Sequence, residues 1–146
     1  MEMIGGLADG SGDFTTHGTL HYLDGTGRNP APSFALRLPT RLSDDFHVYE
    51  VVWTPHSFTW KIDGVAFGSK VIGPDMEEFT QPMFLLLNLA VGGAWGGWVD
   101  GSTTFPQAFV VDWVRVYDKV GGYGPAAPRG EGVMPWEPGH VSERRL

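Results

Sequence analysis

The chain contains no cysteine, which excludes disulfide bridges and thiolate metal sites and leaves the compartment unreadable from cysteine usage. No apolar run approaches the length of a membrane span, and the opening MEMIGGLADG is not expected to be a secretory leader. Positive charge is scarce: 10 Lys and Arg face 17 Asp and Glu, for a net charge of -7, and no basic stripe gathers along the chain. Nucleic acid and anionic membrane are therefore not expected as partners, although acidity alone speaks only to solubility. Long helical periods are missing as well. With 21 glycines and 11 prolines among 146 residues, and 13% aromatics including six Trp, the composition favours a turn-rich all-β architecture. The length suits one domain with a real core.

What is present is organised around FTQPMFLLLNLAVGGAWGG, residues 79–97. From Phe84 to Val91 the chain is almost wholly apolar, bounded by Pro82 and by Gly92-Gly93, which suits a strand better than a helix. Alternation sends Leu85, Leu87, Leu89 and Val91 to one face and Phe84, Leu86, Asn88 and Ala90 to the other. The first face is purely aliphatic and is expected in a core. Asn88, the one amide on the second, needs a hydrogen-bond partner or a wet groove. The pattern predicts a central strand that flooors a cleft on one side.

Nearer the N-terminus, Met1-Glu2-Met3-Ile4 is a short hydrophobic run with one carboxylate in it, consistent either with a frayed terminus or with a strand entered part-way. Thr16 to Tyr22, read as a strand, places His17, Thr19 and His21 on one face and Gly18, Leu20 and Tyr22 on the other. That polar row is either a ligand-facing wall or a solvated face. His17 and His21 stand roughly 13 Å apart at strand rise, too far to share a metal. A strand is expected at Ser33 to Leu38. Phe46 to Trp53 and Phe58 to Ile62 form a hairpin through Thr54-Pro55-His56-Ser57, and a second pivots on Asp63-Gly64 into Val65-Ala66-Phe67. Tyr49, Val51 and Trp53, with Phe58, Trp60 and Ile62, are expected in the core. One helical turn is expected within residues 73–78.

Beyond the central stretch, the glycine-rich loop of residues 92–104 carries Trp95 and Trp98, each either a flat platform for a sugar ring or a cap on the core. Pro106 to Tyr117 reads as a strand buried on both sides. Asp112 inside it must be paired, hydrogen-bonded or bound to a cation. Residues 119–146 have no periodicity and are rich in Gly and Pro, the pattern of a linker or disordered tail.

Seven strings taken together, MEMIGG, HGTLHY, DDFHVYEVVWTP, WKIDG, QPMFLLLNLAVGG-AW, TTFP and VDWVRVY, resemble glycoside hydrolase family 16, especially its laminarinase-like members, in order and spacing over residues 1–117. The resemblance implies a concanavalin A-like β-jelly-roll sandwich for residues 1–118, with a concave sheet that binds β-glucan. It also implies a secreted, retaining hydrolase of β-1,3- or mixed β-1,3/1,4-linked glucans. The family's catalytic strand resembles E-I-D-I-M-E, of which Met1-Glu2 matches only the final M-E. The resemblance thus makes Glu2 the general acid/base and puts the nucleophile, the assisting Asp and several strands of the sandwich before Met1. The jelly roll is expected to be incomplete. By strand position His17, Thr19, His21 and Asn88 would line the cleft, joined by Trp95, although the motif here reads GAW where relatives often have GNW. Asp112 matches an acid that in many relatives contributes to a calcium site, whose other ligands are not in this chain. No cofactor is required by this chemistry. Retaining hydrolysis needs two carboxyl groups about 5–5.5 Å apart, so the chain alone is expected to be inactive. The alternatives are a non-catalytic β-glucan-binding module and a remnant that cannot fold stably.

Overall fold

The computed structural model describes residues 1–5, 12–122 and 141–144. These residues build antiparallel sheets and contain no α-helix. In the first sheet β1 (Glu2–Met3) pairs with β2 (Thr15–Thr19), and β2 with β3 (Ser33–Arg37). In the second, β4 (Tyr49–Trp53), β5 (Ser57–Ile62) and β6 (Val65–Val71) follow as a meander. A two-stranded ribbon joins β7 (Val116–Lys119) to β8 (Val141–Arg144).

Local chemistry explains the meander. At the β4–β5 turn the Thr54 hydroxyl accepts hydrogen bonds from the backbone N–H of His56 at 3.1 Å and of Ser57 at 3.0 Å, and the Thr54 N–H donates to the Ser57 carbonyl. A hydroxyl that substitutes for backbone partners in this way closes a turn without helix or ladder. At the β5–β6 turn Asp63 and Gly64 both take positive φ, 49° and 79°. Such a two-residue turn matches the right-handed twist of its strands. Asp63 also ties the turn to the start of β4: its carboxylate accepts the Val48 N–H at 2.9 Å and meets His47 Nδ1 at 2.7 Å.

Strand alternation then supplies the core. Phe58, Trp60 and Ile62 point inward from β5, and Thr16, Gly18, Leu20 and Tyr22 point inward from β2 and its continuation. Leu20, Tyr22, Phe58, Trp60, Met76 and Phe79 form one buried cluster. Two glycines let the sheets close on each other. Gly18 lies opposite Phe34 in the first sheet, and Trp60 opposite Gly68 in the second. A Cβ on Gly18 would stand 2.5 Å from the Trp60 ring, and one on Gly68 would stand 2.5 Å from Phe34. Each aromatic therefore fills the gap left by the other sheet's glycine, with the Phe34 and Trp60 rings 5.3 Å apart.

Four expectations need correction. Phe84–Val91 is not a strand, and it is exposed at both parities: Leu85 is 62% and Leu86 75% exposed. Residues 106–115 likewise carry no strand and are exposed, and only Val116 onward pairs. Both stretches have the composition of buried strands but no neighbouring strand among the described residues, and a strand without a ladder partner leaves its backbone groups to water. Tyr49, Val51 and Trp53 lie opposite Ile62, Trp60 and Phe58, yet all three remain exposed. β4 is the edge of its sheet; Trp53 stacks on Phe58 and donates its indole N–H to the Phe79 carbonyl at 3.1 Å, but the three β4 side chains keep much of their surface in water. The helical turn is a 3-10 turn at Glu77–Thr80, slightly later than expected. Within the stretch read as a tail, Val141–Arg144 pairs with β7, while residues 123–140 lie outside the described residues.

Candidate functional site

The outward face of the first sheet gathers the polar residues. In the β1–β2 pairing Glu2 lies directly opposite His17, and opposed residues of an antiparallel pair project from the same face. Inward parity consigns Thr16 and Gly18 to the core, so His17 and Thr19 point the other way, both half-buried. Thr19 continues the face through a hydroxyl pair, its Oγ1 3.0 Å from Ser33 Oγ on β3.

Above His17 sits Trp95. The two rings meet edge to face, with centroids 5.2 Å apart and planes inclined by 69°, the arrangement that the aromatic quadrupole favours. Trp95 reaches that position on a loop whose Gly92, Gly93 and Gly97 have φ of 80°, 118° and 84°. Glycine takes up such backbone without a Cβ penalty. The indole is still 49% exposed, so its other surface is free to receive a ligand. The result is a carboxylate, an imidazole, two hydroxyls and a flat aromatic ring on one face. This set can exchange a proton at Glu2, hydrogen-bond a polyhydroxylated ligand and stack against its apolar ring face.

The remaining sequence candidates are placed differently. His21 keeps the outward parity but lies past the end of β2 and is exposed. Asn88 lines an open hollow of about 560 Å³ with Leu87, Leu89, Phe105, Gln107 and Phe109, and neither Glu2, His17 nor Trp95 borders it. Asp112 is exposed on the unpaired stretch before β7. Among the described residues no three His, Cys, Asp or Glu side chains stand close enough to hold a metal ion. Calcium takes six to eight oxygen ligands, of which Asp112 would supply one carboxylate.

Several acids that pattern reading passed over serve structure. Buried Asp13 accepts the Ser43 N–H and hydroxyl, at 3.2 and 2.8 Å, and pairs with Arg41 at 3.0 Å, locking the entry to β2 against the loop after β3. Asp24 accepts the Thr26 hydroxyl and the N–H groups of Thr26 and Arg28. These bonds, the Thr26 hydroxyl foremost and the Arg28 N–H next, hold its carboxyl below the usual range. At Asp63 burial pushes the carboxyl up, but the bonds from His47 and Val48 together outweigh it and the net shift is downward. The Tyr22 phenol is pushed up by burial and then by the nearby charges of Asp75, Asp24 and Glu78. Asp63-Gly64 was legible as a turn. Ser43, the hydrogen-bond partner of Asp13, lies 30 residues away, with Arg41 close before it, and no local signal points to either.

Known proteins bear on this face. The model of the family described as glycosyl hydrolases family 16 matches residues 1–115. Over 116 residues, 69% of the chain, the sequence is 40% identical to a beta-glucanase of Rhodothermus marinus, covering 38% of that protein. It is 35% identical over 85 residues to the glucan endo-1,3-beta-glucosidase A1 of Niallia circulans, covering 51% of this chain and 12% of the relative. It is 36% identical over 76 residues to the endo-1,3-1,4-beta-glycanase ExsH of Rhizobium meliloti, covering 49% of this chain and 15% of that protein. The chain thus spans less than two fifths of the length of each of these relatives.

Proposed function

The chain belongs to glycosyl hydrolases family 16, and from that premise we propose that it is the glucan-binding, acid/base-bearing portion of a secreted, retaining glycoside hydrolase. Its substrate is a β-1,3- or mixed β-1,3/1,4-linked glucan, the class in the names of its relatives. The observation that carries the reading is the alignment of Glu2, His17 and Trp95 on one face. Glu2 protonates the leaving glycosidic oxygen and later deprotonates water. His17, Thr19 and His21 hydrogen-bond sugar hydroxyls, and Trp95 stacks on a ring. Asn88 borders the same glucan only if the 84–91 stretch is drawn into a sheet beside β1.

Glu2 is the one carboxylate on that face among the described residues; the others project as His17, Thr15, Thr19, Ser33, Ala35 and Arg37. A retaining mechanism needs a second carboxylate about 5–5.5 Å away to attack the anomeric carbon. On this reading the nucleophile comes from polypeptide outside the described residues, and the chain alone is expected to bind glucan without cutting it. A single carboxylate beside His17, Thr19 and Trp95 also suits a non-catalytic β-glucan-binding module. Incubation of the purified chain with laminarin separates these readings from an intact enzyme. Co-sedimentation with insoluble β-1,3-glucan and no new reducing ends is the expected result, and steady release of reducing ends refutes the one-carboxylate reading. Restoration of hydrolysis by an added polypeptide that supplies the second acid distinguishes the enzyme portion from the binding module.

A further inference from the structure

The edges of the two three-stranded sheets are not alike. β1 is two residues long, β3 ends on Arg37, and β6 carries Lys70 and a register shift opposite Trp60 and Lys61. Shortness, charge and bulges are devices that keep a sheet edge from pairing with another chain. β4 lacks them. Its one charged residue, Glu50, is held with Oε1 2.8 Å from Lys61 Nζ, so the edge presents no net charge of its own.

The ladder with β5 fixes which backbone groups of β4 face outward. Asp63 N–H donates to the Val48 carbonyl and Thr54 N–H to the Ser57 carbonyl, both at 2.9 Å. Bonded pairs alternate along an antiparallel ladder, so residues 48, 50, 52 and 54 turn their N–H and C=O groups toward β5. Those of Tyr49, Val51 and Trp53 therefore point to the open edge, and no backbone partner meets them among the described residues. Pro55, next in the same parity, has no N–H and ends any ladder there. The side chains of these three residues share one exposed apolar face. Trp53 is fixed by its stack on Phe58 and its bond to the Phe79 carbonyl, and Tyr49 by its edge contact with His47.

This pattern is self-complementary. A second β4 laid antiparallel, with Val51 opposite its own copy, sets Tyr49 opposite the partner's Trp53 at both ends, and the outward groups of all three pairs exchange hydrogen bonds. Glu50 then lies opposite the partner's Val52 and only diagonal to its own copy, with its charge already offset by Lys61. We infer that the chain forms a two-fold dimer through β4, in which the β4–β5–β6 sheets of two copies join into one about an axis between the Val51 residues. An isologous contact of this kind closes on itself, so assembly stops at two. The contact is short, and the dimer is accordingly weak and dependent on protein concentration.

The test is sedimentation velocity of the whole chain at low salt over a hundredfold range of concentration. It is repeated with Val51→Lys, with Val51→Glu, with an equimolar mixture of the two, and with the double variant Leu87→Lys, Val111→Lys. The unaltered chain is expected to pass from monomer to dimer and no further. Each Val51 variant sets like charges across the axis and should weaken the dimer by about tenfold, whereas the mixture sets Lys against Glu and should restore it. The double variant should dimerise as the unaltered chain does, because its substitutions lie outside the contact. A chain that is monomeric throughout overturns the inference and means that the β4 edge finds cover within its own chain. Association that grows past the dimer, or that is lost in the double variant and kept in Val51→Lys, belongs to the bare stretches and overturns it too. So do two Val51 variants that keep the near-UV circular dichroism spectrum of the unaltered chain yet stay monomeric when mixed.

Discussion

His17 is where strand register and loop packing meet. The β1–β2 ladder sets it opposite Glu2, and its ring supports Trp95 at 5.2 Å. Removal of the imidazole leaves the indole on a glycine-rich loop without its edge-to-face partner, a contact of about 0.5–1.5 kcal/mol. His17→Ala is therefore expected to weaken glucan binding by roughly two- to tenfold, partly through a disordered Trp95, with a matching change in tryptophan fluorescence. His17→Phe keeps the ring contact but not the polar nitrogens, so it should restore the fluorescence and only part of the affinity. An unchanged spectrum in His17→Ala, with weakened binding, would mean that the histidine acts on the ligand alone. Asp63 poses a different question at this scale. Its carboxyl is depressed in the folded chain below the usual 3.8, so its contribution to stability is fully present above that value and is lost as pH falls through the folded value. Stability measured by urea unfolding should therefore decline below about pH 4, and Asp63→Asn should be less stable at neutral pH with a shallower acid decline. Equal slopes for the two proteins would show that the turn carboxylate contributes nothing.

Among the elements, the two sheets meet through reciprocal glycine–aromatic pairs, Gly18 under Trp60 and Gly68 under Phe34. A methyl at Gly18 has to displace a ring that is 2% exposed and hemmed in by Phe34 and Phe58. Overpacking of this kind costs about 1–3 kcal/mol. Gly18→Ala should shift the unfolding midpoint accordingly, and Gly68→Ala should do the same from the other sheet. A Gly18→Ala chain as stable as the unaltered one would show that the sheets part easily. Such pairings also mark the limit of what the sequence discloses. The β4–β5–β6 meander was legible because its turns are written locally, in Thr54-Pro55-His56-Ser57 and in Asp63-Gly64. The outward parity of His17 and Thr19 was legible for the same reason, since alternation needs only neighbours. The Gly18–Trp60 fit and the seat of Trp95 on His17 join distant parts of the chain, and periodicity carries no trace of them. Phe84–Val91 shows the converse error. Its composition tells that these side chains favour burial, but whether a strand forms depends on a hydrogen-bonding neighbour that the composition cannot name.

At the scale of the whole molecule, the described residues leave apolar surface bare in three places: the inner face of β4, Phe84–Val91, and Phe109–Val114. Bare patches and unpaired backbone of this kind promote association. A net charge of -7 opposes it, because like-charged molecules repel over a distance set by salt. The screening length falls from about 10 Å at 0.1 M to about 3 Å at 1 M, while apolar attraction is not weakened by screening. Association of the isolated chain should therefore grow with ionic strength, as read by sedimentation velocity, with binding of a hydrophobic dye at low salt. Charges introduced on the bare stretches, as in Leu87→Lys with Val111→Lys, should reduce both signals without touching the Glu2–His17–Trp95 face, so glucan binding should survive. If association instead fell with added salt, the contact would be electrostatic. A chain that stayed monomeric at 1 M salt and bound no dye would show that these stretches find cover within a single chain, and the edge of β4 would then be the first place to look for it.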